Sequence, residues 1–192
     1  MPASRHPGPL DEKILAHFPG LVVRKEDEAL LAPFLTGHEV DLHGLLNQTS
    51  LKLGIVAERS YGTQIDEVLR QLPDASLSRH YGNDATANQL QMQRLGRLHM
   101  VMGYWPEVRY LIQQQGGSLA DYHFHPVQGV KRYQFLHVGC SASALGREAI
   151  AHIDQLLPAL RRDTLPGLYA RWLDPALQEE YLEQSKQFFK QP

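Results

Sequence analysis

The alternation of strand-like and helix-like segments in the middle of the chain constrains the fold most. Three short apolar runs are each followed by a stretch with helical periodicity or helix-capping residues. Strands that alternate with helices in this way predict a parallel sheet with crossover helices, which is an α/β fold. The predicted strands cover residues 51–57, 77–81 and 98–102, and the predicted helices cover 62–72, 85–95 and 106–115.

The segments on either side of this α/β region predict the domain organisation. Three prolines and a glycine within residues 1–9 indicate an irregular leader, which we place at 1–19. A short strand at 20–24 precedes the α/β region, and extended chain followed by helices comes after it. We therefore expect one complete lobe and part of a second. The later segments are extended at 121–127 and 133–140 and helical at 145–160, 165–172 and 175–189.

The composition narrows the classes of partner. The chain has 192 residues and 43% hydrophobic content, which is enough for a substantial core. The net charge of -2 gives no basic excess for a phosphate backbone, so we expect no nucleic acid partner. No apolar run approaches the roughly 20 residues that cross a bilayer, and residues 1–13 lack the apolar segment of a secretion signal, so we expect no direct membrane insertion. With Cys140 as the single cysteine, an internal disulfide and a multi-thiolate zinc site are excluded.

A group of ligand-binding candidates lies between the first of these strands and its helix. Arg59, Ser60, Tyr61 and Gly62 come at the carboxyl end of a predicted parallel strand and the N-terminus of a helix. Open α/β sheets bind ligands at this position, and an arginine fork suits a carboxylate or phosphate. The alternative is structural, with Ser60 capping the helix, Gly62 permitting the turn and Arg59 solvated.

A second pair of candidates occupies the equivalent junction after the strand at 98–102. Tyr104 and Trp105 are adjacent aromatic residues that would stack on a ligand or line its pocket. The alternative is that Trp105 packs in the core. Of the two, we expect Tyr104 to be the ligand contact.

No motif for a metal, a cofactor or a nucleophile is complete. His123 and His125 lie two residues apart on one face of a predicted strand, but two ligands do not make a zinc site, so we expect exposed strand histidines and no metal. Ser141 and Ser143 lie outside any GxSxG elbow, and the chain has neither GxGxxG nor a P-loop. We therefore expect no catalytic residues and no cofactor.

Four stretches together resemble the periplasmic solute-binding proteins of family 3. They are LGIVAERSYGTQIDEVL, LQMQRLGRLHMVMGYWPEVRYLI, YQFLHVGCSASALGREAIAHIDQLL and GLYARWL. In that family, two α/β lobes of the type II periplasmic-binding fold close on a small polar solute. The resemblance implies that residues 51–132 form the second lobe and that 20–50 and 133–192 form a partial first lobe with the C-terminal helices.

The chain departs from the family pattern in three respects. The signal peptide and the early first-lobe segments are absent from the sequence, so we expect a truncated member that alone binds weakly or not at all. The aspartate that commonly holds a ligand ammonium aligns with Tyr104, and the aspartate of the "GR.D" phrase aligns with His99. These two substitutions favour a neutral, aromatic or anionic solute over a standard amino acid.

The function implied by the resemblance is that of a non-catalytic, substrate-binding component of an ABC transporter. Its partners would be a small solute and a membrane permease or sensor, and its location would be the periplasm. One alternative is a cytoplasmic ligand-sensing domain of the same fold, which the absent signal peptide would explain. Another is a dehydratase-like enzyme on this fold, for which Glu58 and Glu107 are the nearest carboxylates.

Overall fold

A computed structural model describes residues 13–17 and 19–189 of the chain. These residues fall into two compact units. The larger unit is Phe18–Arg132, and the smaller combines Met1–His17 with Tyr133–Pro192. Each unit has its own hydrophobic core.

The elements follow the predicted order closely. Four short 3-10 helices at Lys25–Leu30, Ala32–Phe34, Asp74–Ser76 and Leu119–Asp121 accompany the strands and α-helices. The strands are β1 (Lys13–His17), β2 (Gly20–Arg24), β3 (Leu35–Thr36), β4 (Glu39–Val40), β5 (Leu53–Val56), β6 (Leu77–His80), β7 (Met100–Gly103), β8 (Tyr122–Pro126) and β9 (Tyr133–His137). The α-helices are α1 (Leu42–Gln48), α2 (Thr63–Gln71), α3 (Ala85–Arg94), α4 (Trp105–Gln114), α5 (Ala144–Asp163), α6 (Leu165–Ala170) and α7 (Pro175–Phe189).

The larger unit is built on a five-stranded sheet of order β6-β5-β7-β2-β8. Strand β5 is parallel to both β6 and β7, which confirms the predicted parallel sheet with crossover helices. The sheet also contains an antiparallel strand, because β2 lies between β7 and β8 and runs opposite to both. The unit is therefore a mixed sheet with a parallel part at β6, β5 and β7.

The antiparallel position of β2 changes the expected division of the chain. We expected residues 20–50 to join 133–192, whereas the structure groups them with 51–132. The physical reason is the hydrogen bonding of β2 to two strands of this sheet and the complete burial of Leu21, Val22 and Val23 within it. The equivalence of the two units to the two lobes of a binding protein stays a prediction.

The two faces of the sheet carry separate apolar clusters. Leu21 and Val23 of β2 belong to the cluster that also contains Leu53 and Tyr61. Val22 points to the opposite face and packs in the cluster that includes Trp105. This alternation is the period of two that a strand with both faces covered requires.

The smaller unit pairs two strands and packs three helices around a small core. Strand β1 is antiparallel to β9, with Lys13 opposite His137, so part of the segment expected to be an irregular leader is a strand. Residues 1–12 and 18 of that segment lie outside the described residues. The core contains Tyr181, whose ring lies 4.9 Å from the ring of Tyr169. Of the helices in the described part of the chain, none combines the length and apolar character needed to span a bilayer.

Candidate functional site

The two predicted junctions meet at one edge of the larger unit's sheet. Strands β5 and β7 are parallel neighbours, so the chain leaves both at the same edge. The guanidinium carbon of Arg59, after β5, lies 5.1 Å from the ring centroid of Tyr104, after β7. This distance falls within the range of a cation–π contact. The structure thus brings together two of the six predicted site residues from different parts of the sequence.

The strongest interaction at this edge joins Arg59 to Glu107 of α4. Arg59 Nη1 donates to Glu107 Oε1 at 3.1 Å, and Nη2 donates to Oε2 at 2.6 Å. Thr86 Oγ1, on α3, donates to Glu107 Oε1 at 3.1 Å. The bidentate geometry is the strong form of such a pair. Arg59 is therefore neither the solvated residue nor the unpaired anion-binding fork that the sequence suggested.

The environment of Arg59 stabilises the charged form of its guanidinium group. Burial disfavours the charged guanidinium, but the hydrogen bonds and negative charge of Glu107 outweigh that effect, so the pKa of Arg59 is raised above its ordinary value. The two side chains are 29% and 33% exposed. The pair can consequently be reached from solvent and presents a cation and an anion side by side.

The turn before α2 is closed by Asp66. Its carboxylate accepts a hydrogen bond from Ser60 Oγ at 2.5 Å and another from the Tyr61 backbone N–H at 2.8 Å. The Gly62 N–H donates to Ser60 Oγ at 3.2 Å. Ser60 therefore organises the turn together with Asp66, a residue that the sequence reasoning did not single out.

Tyr61 lies in the core. Its side chain is fully buried in the cluster beneath β5, and its hydroxyl accepts a hydrogen bond from the Val56 N–H at 2.8 Å. Burial raises the pKa of Tyr61 to about 12. The ring anchors the turn in the core and also contributes to the wall of the pocket beside the turn, so a ligand contact by Tyr61 stays a prediction.

Trp105 also belongs to the core, which was the alternative to a ligand contact that the sequence left open. It is 8% exposed and stacks on Phe124 of β8 with ring centroids 5.6 Å apart. The guanidinium carbon of Arg109 lies 5.9 Å from the centroid of the indole ring. Trp105 therefore fixes α4 against the sheet, and of the aromatic pair Tyr104 is the residue beside Arg59.

Gly62 occupies a backbone conformation that other residues rarely adopt. Its φ of 94° and ψ of 150° place it immediately before α2, which begins at Thr63. A side chain is strained in this region, at a cost of roughly 1–3 kcal/mol. Here the sequence prediction of a glycine-dependent turn agrees with the observed backbone.

We expect Gly62→Ala to lower the free energy of unfolding by about 1–3 kcal/mol for this reason. Thr63→Ala, at the next and exposed position, serves as the matched control and should change it by less than about 0.5 kcal/mol. Urea denaturation followed by tryptophan fluorescence measures both variants. Equal stabilities for the two would show that the turn tolerates a side chain at position 62.

A shallow pocket of about 370 Å³ adjoins the turn on the β6 side. Its lining combines carboxylates with guanidinium groups above an apolar floor that includes Ile55 and Leu69. A surface of this kind suits a small solute with both polar and apolar parts. The charged lining residues are Glu58, Arg59, Asp66, Arg70 and Arg79.

His99 lies at the other edge of the sheet. Its Nδ1 accepts a hydrogen bond from the Lys52 N–H at 3.0 Å, just before β5 begins. His99 therefore joins the starts of β5 and β7, at the edge opposite to Arg59 and Glu107.

A second cluster of polar side chains lies on the same unit, on β8. His123 and His125 share one face of the strand, as predicted, and Glu28 from the 3-10 helix at Lys25–Leu30 lies between them. The Glu28 carboxylate oxygen is 2.5 Å from His123 Nδ1 and 3.4 Å from His125 Nε2. His125 is 5% exposed, so the expectation of two exposed histidines is wrong for this residue. Glu28, the third member of the cluster, was not predicted because it lies far from both histidines in the sequence.

Comparisons with known proteins find structural likeness without sequence likeness. No protein-family model and no curated protein matches the chain. A solved amino acid ABC transporter substrate-binding protein, AbpA from Streptococcus pneumoniae bound to L-arginine, is similar with a TM-score of 0.51 and 12% identity, over 94% of this chain and 63% of that one. An ABC uptake transporter substrate-binding protein from Streptococcus pneumoniae with bound histidine has a TM-score of 0.52 and 16% identity, over 84% and 61%.

These likenesses establish the fold. Both structural neighbours are ABC transporter substrate-binding proteins, and the chain has a partial form of their fold. It spans about 63% of the length of the first of them. The expected type II periplasmic-binding fold is thereby confirmed as the fold of the chain, in partial form.

Proposed function

We propose that the chain is a solute-binding module whose ligand lies on the sheet edge formed by Arg59, Tyr104 and Glu107. The observation that carries this proposal is the partly exposed, bidentate Arg59–Glu107 pair at the point where two parallel strands end. Open α/β sheets bind ligands at this place. On this proposal, Phe18–Arg132 corresponds to the second lobe of a periplasmic binding protein.

The paired charges select the class of ligand. A purely anionic solute that reached Arg59 would lie beside the carboxylate of Glu107 and be repelled by it. A zwitterion can exchange with the existing pair, placing its anion on Arg59 and its ammonium on Glu107. The Tyr104 ring adds a face for an apolar or cationic portion. We therefore propose a small zwitterionic or neutral polar solute, and not the anion that the unpaired arginine suggested.

The remaining predicted residues position the two junctions that form this surface. Ser60 and Gly62 shape the turn that carries Arg59, and Tyr61 and Trp105 anchor the two junctions in the core. The proposed direct contacts are thus Arg59 and Tyr104, together with Glu107. Ser60 is exposed to solvent at the turn, and the Thr86 hydroxyl donates to Glu107 beside the pair.

The comparisons support the wider setting of the proposal. The two neighbours above are described as transporter substrate-binding proteins that bind L-arginine and histidine. By analogy, we propose a periplasmic location and a membrane permease as the protein partner. The neighbours are binding proteins, which is compatible with a chain that is not an enzyme.

Isothermal titration of the full chain tests the ligand class. The probes are L-histidine, L-arginine, putrescine and succinate, at concentrations that detect millimolar binding. We expect an amino acid to bind more tightly than succinate, and Glu107→Gln to weaken amino acid binding by about 10- to 100-fold, because it removes a charged hydrogen-bond partner. Arg59→Met should have an effect of similar size.

The matched control is Glu67→Gln, which removes an exposed carboxylate from α2 without touching the pair. It should bind every probe as the unaltered chain does. Tighter binding of succinate than of either amino acid would contradict the proposal, as would unchanged binding in Glu107→Gln. Absence of binding by both amino acids would contradict the proposal of a zwitterionic solute.

A sensor role is the second candidate, and one comparison favours it. A histidine kinase sensor domain with similarity to periplasmic binding proteins matches with a TM-score of 0.51 and 14% identity, over 89% of this chain and 63% of that one. The same binding edge would then report a solute to a signalling partner instead of a permease. Coding sequence upstream of Met1 distinguishes the two, since an in-frame secretion signal favours the transporter role and a fused signalling or DNA-binding domain favours the sensor.

A further inference from the structure

We propose that Glu28, His123 and His125 form a binding site for a divalent transition metal of the zinc class. This site is separate from the sheet edge that carries Arg59, and the inference does not depend on the proposed function. It replaces the expectation that the chain has no metal site. The three side chains each offer one ligand atom, and these atoms lie within 4.8 Å of one another.

The backbone places the three ligands on one surface of the larger unit. His123 and His125 are alternate residues of β8, so both imidazoles leave the same face of the strand. Strand β8 pairs with β2, and the 3-10 helix Lys25–Leu30 follows β2 directly. This short connection places Glu28 next to the face of β8 that carries the two histidines.

The hydrogen bonding of His125 leaves one nitrogen aimed at the cluster. Its Nδ1 lies 3.3 Å from the backbone carbonyl oxygen of His38, which can only accept, so that nitrogen carries the proton. Its Nε2 is buried, faces Glu28 at 3.4 Å and has no hydrogen-bond partner. With the proton on Nδ1, Nε2 directs its lone pair toward the Glu28 carboxylate oxygen. A cation placed between two acceptors that face each other in this way would satisfy both of them.

The contact to His38 is the kind of outer hydrogen bond that metal-binding histidines make. A ligating imidazole almost always donates its other N–H to a carbonyl, a carboxylate or water, which fixes the ring and its tautomer. His125 shows this arrangement, and the residue is only 5% exposed. The ligand is therefore oriented before any metal arrives.

The distances fit a tetrahedral ion with small adjustments. Ligands bound to zinc at about 2.0–2.2 Å lie about 3.3–3.6 Å apart in a tetrahedron. The separation of 3.4 Å between Glu28 and His125 Nε2 already matches. His123 Nδ1, at 2.5 Å from the same oxygen, must move away by about 1 Å, and its side chain is 38% exposed.

The ligand set defines the class of metal. Two imidazoles with one carboxylate suit zinc and its transition-metal neighbours, whereas magnesium and calcium prefer oxygen ligands alone. Three protein ligands leave a fourth position for water. A bound ion would tie the 3-10 helix after β2 to strand β8 and would stabilise the larger unit, since it binds the folded chain.

Titration of the full-length, tag-free chain with zinc chloride tests the proposal by calorimetry and by thermal melting. We expect one site per chain and a higher melting temperature with zinc than with magnesium. His123→Gln and Glu28→Gln should each weaken zinc binding by at least about 10- to 100-fold and remove the thermal shift. Cobalt(II) should give the visible absorption of a four-coordinate ion, and Glu28→Gln should abolish it.

His43→Gln is the matched control, because it removes an exposed histidine from α1 of the same unit. It should leave zinc affinity and the thermal shift unchanged. Since His125 is buried, the partly exposed His123 provides the variant least able to disturb folding, and circular dichroism verifies its fold. Equal zinc affinity in His123→Gln and the unaltered chain would overturn the proposal. An equal loss in His43→Gln would also overturn it, by showing adventitious binding to surface histidines.

Discussion

Replacing Tyr61 with alanine is expected to lower the free energy of unfolding of the larger unit by about 3–5 kcal/mol. This is the usual cost of removing a fully buried aromatic ring, and it combines lost apolar burial with the cavity left behind. The ring lies in the same cluster as Leu21, Leu53 and Ile65, so the loss affects both the sheet and α2. Urea denaturation of the full chain, followed by the fluorescence of Trp105, measures the effect.

Tyr61→Phe separates the ring from the hydroxyl. It keeps the apolar surface but removes the acceptor of the Val56 N–H, and we expect a smaller loss of about 1–3 kcal/mol from the unsatisfied donor. If Tyr61→Ala instead left stability unchanged in the absence of solute, the ring would be available at the surface. The assignment of Tyr61 to the core would then be wrong.

Replacing Trp105 with alanine is expected to have an effect of similar size, about 3–5 kcal/mol. The indole is buried on the opposite face of the sheet and stacks on Phe124, so its removal loosens α4 from β8. Circular dichroism during urea denaturation measures this loss, because the variant lacks the fluorescent side chain of the larger unit.

Trp105→Phe is the conservative comparison. It retains an aromatic ring against Phe124 and should cost clearly less than the alanine change, since most of the apolar contact survives. A ligand contact at the surface would behave differently, with stability preserved and solute affinity lost. That pattern for either Trp105 variant would contradict its placement in the core.

Local patterns were sufficient to predict β2 and the strands and helices from β5 to β8, but not β3, β4 or α1 of the larger unit. The helix α2 follows from apolar residues such as Ile65 and Leu69 at helical spacing, and the turn before it follows from Gly62. The position of β2 did not follow from local pattern. Its apolar run is equally compatible with any buried strand, and only long-range pairing with β7 and β8 places it in this sheet in the antiparallel direction.

Local sequence patterns were likewise insufficient to predict the side-chain contacts of the candidate site. The sequence located both junctions, because strand ends and helix starts carry local signals. It could not show that Arg59 pairs with Glu107, 48 residues away, or that Tyr61 and Trp105 turn into the core. Glu28 and the histidines of β8 were likewise separated by about half the chain, and only the pairing of β2 with β8 unites them.

Binding of one solute across the two junctions can be tested by amide chemical-shift mapping with nuclear magnetic resonance. The full isotope-labelled chain is titrated with L-histidine and, separately, with succinate. We expect saturable shifts for L-histidine at the backbone amides of Arg59 to Gly62 and of Tyr104 to Glu107, and weaker shifts for succinate. Saturable shifts confined to other parts of the chain, or stronger shifts at these amides with succinate, would contradict it.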